Sequence, residues 1–210
     1  DKALRYLAPG SLVQIDTKHL TTPSGRKYFQ FTAIDCKTRI KFAYCYSSCS
    51  SFSAKLFLEK AIKYFNFPIQ NIQTDNGSEY MKYFHTALKE IKHYFSYPHC
   101  PKDNCFVERV IQTDKYEFYL NGNLYHELKL QNEKLAKWNY IYNHIRPHES
   151  LDNISPMEYY EKIKEQYRKE VKFLQEFSFL LLLSDKQGKL PVVKRKMRKA
   201  LSKPAVHLRL

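Results

Sequence analysis

The hydrophobic period of this chain first changes near Ser50, and that change limits the fold more than any other feature. Before it, residues 11–18 (SLVQIDTK), 28–35 (YFQFTAID) and 39–46 (RIKFAYCY) alternate in the two-residue rhythm of strands and are rich in aromatic and β-branched side chains. In the first strand Val13 and Ile15 share one face, and Leu12, Gln14 and Asp16 the other. Ser24-Gly25-Arg26-Lys27 and Asp35-Cys36-Lys37-Thr38 are turn material, so the three strands predict an antiparallel meander. After the change, Ala54, Phe57, Leu58, Ala61, Ile62 and Phe65 recur at three- and four-residue steps, a helix with one buried face. Ser51 or Ser53 is the expected cap, and Asn66 and Pro68 end the helix. Strands and helices then alternate: a strand at 69–74, a helix with Phe84, Ala87, Leu88 and Ile91 on one face, and a strand from His93 to Tyr97. Helices follow from about Asn104 to Tyr119 and from about Leu128 to His144. A meander followed by β-α-β alternation predicts an α/β fold: a five-stranded mixed sheet with helices on both faces.

Charge narrows the function. The formal net charge is +14. From Glu161 onward there are 14 Lys/Arg against 5 Asp/Glu, and the first 160 residues carry 21 against 16. Such an excess favours a polyanionic partner, of which nucleic acid is the commonest, although a basic protein with no such partner would look the same in composition. We therefore divide the chain into a core at 1–160 and a charged helix with a basic tail at 161–210, the tail holding Lys194-Arg195-Lys196-Met197-Arg198-Lys199 and expected to be partly disordered. Five cysteines without a C-x-x-C pair argue against a disulfide scaffold and for a cytoplasmic setting. Cys100 and Cys105 with His93 and His99 match no strong zinc template, and buried free thiols fit better. The longest apolar run, Phe179 to Leu183, is too short to span a bilayer, and the first residues are not a signal peptide, so no membrane partner is expected.

Three carboxylates carry the chemistry. Asp16 lies in an apolar strand, where an ionised group is costly without compensation. Asp75 stands where a strand runs out into Asn-Gly, and Glu108 one turn inside a helix. Each has a bland reading alone: a strand-end Asp in solvent, a turn residue, a residue favoured by the helix dipole. Together they are more specific. Functional groups of open α/β sheets gather at the carboxyl ends of neighbouring strands, and the first and fourth strands can be neighbours in this topology. Carboxylates suit a hard cation such as Mg²⁺ or Mn²⁺, and two such ions can clamp an in-line displacement at phosphorus.

These residues resemble a known family. Asp16 in VQIDTKHL, Asp75 in Thr74-Asp75-Asn76-Gly77-Ser78-Glu79, and Glu108 in Pro101-Lys102-Asp103-Asn104-Cys105-Phe106-Val107-Glu108-Arg109 are similar to the three signatures of DDE integrase cores, found in retroviral integrases and bacterial insertion-sequence transposases. Tyr142 to Leu151 and Ser155-Pro156-Met157-Glu158-Tyr159 resemble the segment that closes bacterial transposase cores. The resemblance covers roughly residues 8–160. It implies a ribonuclease-H-like fold, two bound divalent ions held by Asp16, Asp75 and Glu108, and cleavage and strand transfer on DNA, with element ends and target as substrates. It further implies a homo-oligomer, a nucleoid-associated location and no small-molecule cofactor. Lys115, seven residues after Glu108, is similar to a family residue at the DNA end; Lys18, Lys102 and Arg109 are candidate phosphate contacts. The chain departs from the pattern in three places. Residues 76 to 107 make 32 intervening positions, a few fewer than usual; Cys105 replaces a more usual Gly or Ala; and no helix-turn-helix precedes Ala8. A remnant that only binds nucleic acid and a ribonuclease-H-like nuclease are the competing readings. Glu79 and Asp103 are read as exposed loop residues rather than as supports of the neighbouring carboxylates, Asn76 as turn or orienting residue for Asp75, Arg146 and His148 as pinning the last helix rather than touching nucleic acid, and Tyr116, Phe118 and Tyr119 as core rather than as stacking platforms for bases.

Overall fold

A computed structural model describes residues 2–96 and 103–169. The meander is present as β1 (Val13–Thr21), β2 (Lys27–Asp35) and β3 (Lys41–Tyr46). Then follow α1 (Ser51–Tyr64), β4 (Asn71–Thr74), α2 (Tyr83–Leu88), β5 (Lys92–Phe95), α3 (Cys105–Thr113) and α4 (Leu128–His144), with a last helix over 156–169. The strands lie in the order β3-β2-β1-β4-β5, antiparallel across β1, β2 and β3 and parallel across β1, β4 and β5. Residues Asp1–Tyr160 form one compact unit, and Glu161 begins a second. Among the described residues no helix is long and apolar enough to cross a membrane.

The period-2 pattern sorts the strand residues onto two apolar faces. Val13, Ile15, Phe31 and Ala33 pack with Ala54, Phe57, Leu58 and Ala61 of α1 and with Tyr80 and Phe84. Leu20, Tyr28, Ile34, Ala43 and Cys45 pack on the other face with Val107, Val110 and Ile111 of α3 and Leu135, Trp138 and Tyr142 of α4. Each fully buried Leu, Ile or Phe contributes about 1.5–3 kcal/mol. α4 also closes the open edge of the sheet. Asn132, Asn139 and Asn143 each accept from and donate to the backbone of one β3 residue, Cys45, Ala43 and Lys41 respectively, at 2.7–3.2 Å. An edge strand otherwise presents an unpaired ladder to other chains.

Several boundaries differ from the sequence reading. Ser50, not Ser51 or Ser53, caps α1, its hydroxyl accepting from the Ser53 N–H at 3.1 Å. α2 has only six residues, between Lys82 and Lys89 in left-handed backbone (φ 40° and 51°), which leaves Ile91 beyond it. The helix expected to run unbroken to Tyr119 stops as α-helix at Thr113 and continues as a π-helical turn, Asp114–Phe118. A buried polar cluster sits at that break. Asp114 and Lys41, both with fully buried side chains, form an ion pair. Asp114 also accepts from Trp138 Nε1 (2.7 Å) and from Gln30 Nε2 (2.8 Å), and Gln30 accepts from the Tyr119 hydroxyl. Burial pulls the Lys41 ammonium below its ordinary range, opposed by Asp114. The π-helical turn is a single-turn interruption of the helix, placed where Asp114 points into the interior.

Candidate active site

Two parallel strands end at the same edge of the sheet. β1 and β4 pair Val13 with Ile72 and Gln14 with Gln73. Continuing that register by two sets Asp16 level with Asp75, the residue just past β4. α3 is tied to the same strands by Gln14, whose side chain is fully buried. Its Nε2 donates to Gln73 Oε1 (2.9 Å) and to the Asp103 carbonyl, and its Oε1 accepts from the N–H groups of Phe106 (3.0 Å) and Val107 (3.3 Å). Those N–H groups belong to the first turn of α3, which has no intrahelical acceptors to offer. Asn104, at the N-cap, makes no side-chain cap bond. Gln14 therefore caps α3 from the neighbouring strand and fixes the helix carrying Glu108 to the strand carrying Asp16. The sequence reading put Gln14 and Asp16 on one face but gave Gln14 no role.

The electrostatics of this edge are uncompensated. Asp16 is half-buried and its Oδ1 accepts from the Thr17 N–H at 2.7 Å. Burial pushes its carboxyl up to about 6, against the Thr17 N–H, and the charges of Asp75, Glu108 and Glu79 push the same way. Asp75 is exposed, and its Oδ1 accepts from the Gly77 N–H at 3.0 Å. A Cβ on Gly77 would lie 2.9 Å from that oxygen and 2.7 Å from Glu79 Oε2, so a side chain there would separate the two carboxylates. Glu79 accepts from Cys49 Sγ at 3.4 Å. The expectation of an exposed loop residue is corrected: Glu79 is half-buried and stands beside Asp75. The four-residue step from Asp75 across a glycine was the available signal. Behind this edge Tyr80, fully buried, shares a 2.8 Å hydrogen bond with the Thr17 hydroxyl.

This donor set is oxygen-only and carries an excess of negative charge, which fits a hard divalent ion. Glu108 projects from the first turn of α3 and is exposed. Among the described residues no three acidic, histidine or cysteine side chains stand close enough together to hold one ion, so the carboxylates share one electrostatic neighbourhood without being drawn together.

The candidate cations fall on and around α3. Lys18 is half-buried; burial lowers its ammonium, Asp114 opposes this, and Lys115 adds to it, which makes Lys18 and Lys115 neighbours. Lys115 is exposed, its Nζ 5.2 Å from the Tyr116 ring centre. Arg109 is exposed. Lys102, His99 and Cys100 lie outside the described residues; Cys36, Cys45, Cys49 and Cys105 are free thiols. Asp103 is drawn to Arg5, which donates to its carbonyl at 2.6 Å, so it too is more than a loop residue. Asn76 reaches the Ser96 carbonyl at 3.4 Å, and the orienting bond to Asp75 comes from Gly77 instead. Arg146 holds Glu117 through two donors, joining the segment after α4 to the π-helical turn. Phe118 stacks on Trp138, but Tyr116 is 59% exposed and does not belong to the core.

Comparison with known proteins identifies the family and the fold. Two family models, each described as integrase core domain, match residues 7–101 and 89–156, and together span 7–156. The chain belongs to the integrase core domain family. Among curated relatives this integrase core is 29% identical over 170 residues to the putative integrase ORF3 of Spiroplasma virus SpV1-C74, covering 70% of the chain. It spans about half of that relative's length, 47%. Its fold matches a chain of the simian T-cell lymphotropic virus intasome, solved with PP2A regulatory subunit B56 gamma (TM-score 0.63, 21% identity, 73% of this chain and 55% of that one). It also matches the HTLV-2 integrase catalytic core solved with magnesium in a trimeric form (TM-score 0.60, 19% identity, 74% and 99%) and the BIV integrase catalytic core (0.58, 16%, 75% and 97%). The integrase core thus has the ribonuclease-H-like fold that the resemblance implied.

Proposed function

We propose that this integrase core is a DDE-type polynucleotidyl transferase that cuts DNA at element ends and joins the ends to a target. The observation that carries the proposal is the half-buried Asp16 carboxyl, held at about 6 by burial and by Asp75, Glu108 and Glu79, with no cation among the described residues to offset that negative charge. Asp16 and Asp75 would hold a divalent ion, Mg²⁺ or Mn²⁺, from adjacent strand ends, and Glu108 would close on it from α3. Two such ions, when bound, activate an attacking oxygen and stabilise a leaving oxygen at phosphorus. The protein's own share is positioning. Gln14 keeps α3 in register with β1, and the Gly77 N–H aims Asp75. Lys18, Lys115, Lys102 and Arg109 bind the flanking phosphates. The partners on this reading are DNA, as element ends and target, and further copies of the chain; no membrane or small-molecule cofactor takes part. The setting is cytoplasmic and nucleoid-associated, and residues 161–210 act as a basic appendage to the core.

Thermal unfolding with and without Mg²⁺ or Mn²⁺ tests the ion site. Wild type should gain stability from the ion, and Asp16→Asn with Asp75→Asn should gain none; equal gains would remove the site. Strand-transfer assays on labelled element ends, with the chain supplied in a form that recognises them, test the activity. Cleavage of an RNA–DNA hybrid without strand transfer would favour a nuclease, and no ion-dependent product would favour a remnant that only binds nucleic acid.

A further inference from the structure

A second cationic feature lies on another flank of α3. There a cleft of about 530 Å³ opens between α3, the β2–β3 turn and the segment after α4, with Arg39, Arg109 and Arg146 at its walls and Phe106, Tyr142 and His148 lining it. The three guanidinium groups come from three different parts of the fold. Arg39 sits in left-handed backbone (φ 63°), a conformation that favours glycine or asparagine and disfavours a long side chain. Its guanidinium lies 3.8 Å from the Phe106 ring centre and donates one N–H to the Cys36 carbonyl, and it makes no other hydrogen bond among the described residues. A cation–π contact orients the group without neutralising it. Arg146 is held in place by Glu117. Arg109 is exposed and forms no ion pair among the described residues. Arg146 is paired with Glu117, so Arg39 and Arg109 are the cleft's uncompensated cations among the described residues, against one lining carboxylate, Glu149.

We propose that this cleft binds the phosphodiester backbone of DNA adjoining the strand that reacts at the carboxylate edge. The guanidiniums of Arg39 and Arg109, on separate walls, call for successive anionic groups, and their planar forks match phosphate oxygens, while Arg146, filled by Glu117, shapes the wall between them. Arg109 follows Glu108 directly on α3, with Cα atoms about 3.8 Å apart. A strand leaving the carboxylate edge therefore needs to cross only one flank of that helix to enter the cleft. The inference rests on the DNA reading above, and it adds Arg39 to the phosphate contacts of Arg109.

The test is DNA binding by the whole chain in EDTA, with a fluorescein-labelled duplex of arbitrary sequence, titrated over a range of NaCl concentrations. Arg39→Gly removes the guanidinium and relieves the left-handed backbone, and Arg109→Gln changes an exposed side chain, so the double variant keeps its fold. Each lost phosphate contact reduces the slope of log affinity against log salt by about 0.9. The double variant should lose about 1.8 from the slope and bind roughly tenfold to a hundredfold more weakly at low salt, while Lys55→Gln, on α1, matches wild type. The basic tail is the same in every variant, so the comparison is of slopes against wild type. An unchanged slope overturns the proposal. Stabilisation of wild type by inorganic phosphate that the double variant loses, with DNA slopes equal, also overturns it and makes the cleft a site for free phosphate. A slope loss in a protein that gains no stability from Mg²⁺ supports the DNA track and separates it from the catalytic reading.

Discussion

Replacing Gln14 with Leu tests whether a β1 side chain caps the helix that carries Glu108. The substitution keeps the volume but removes four hydrogen bonds: two to the first N–H groups of α3, one to Gln73 and one to the Asp103 carbonyl. Loss of a helix cap costs about 1 kcal/mol. A buried polar group left without a partner costs about 1–3 kcal/mol, and Gln73 and the Val107 N–H are both buried. Partial rehydration at the less buried Asp103 and Phe106 ends offsets some of this, so about 3 kcal/mol is expected. In a domain of this size that lowers Tm by roughly 6–12 °C. Urea denaturation followed by circular dichroism and by Trp138 fluorescence would measure it. Because the cap also sets where α3 starts, the gain in Tm from Mg²⁺ should shrink as well. A loss below about 1 kcal/mol with the full Mg²⁺ response retained would refute the argument.

Three other substitutions probe the charges. Asp16 has a folded-state carboxyl raised to about 6 from 3.8, so the fold holds a proton that the unfolded chain has released between those values. Stability without metal therefore falls as pH rises from about 4 to 6, and the loss is complete above about 6. Asp16→Asn should be more stable than wild type at pH 7.5 in EDTA, by on the order of 2 kcal/mol, with the difference vanishing near pH 4. A pH-independent difference in urea denaturation would contradict this. Lys41→Met strands the Asp114 carboxylate in the core and should cost about 3–5 kcal/mol, and adding Asp114→Asn should recover much of it because Trp138 can still donate to the amide oxygen. A double-mutant cycle without coupling would show that the pair does not act as one.

The sequence by itself determined the elements and their grouping. Strands β1 to β3 and helices α1 and α4 were legible because apolar side chains recur with periods of 2 and 3.6, and burial of one face is enough to fix such elements. Asp16, Asp75 and Glu108 stood out because each lies in an ordered motif, and the integrase core family was legible in those motifs. Relations between distant residues were not legible, because they have no local period. The capping of α3 by Gln14, the Asn132, Asn139 and Asn143 ladder over β3, and the approach of Glu79 to Asp75 across Gly77 arise only when strands and helices pack. The end of α3 at Thr113 has the same origin. Local propensity favours continuing the helix, but Lys41, Gln30 and Trp138 hold Asp114 in the interior, and an unpaired charge there would cost more than an irregular turn.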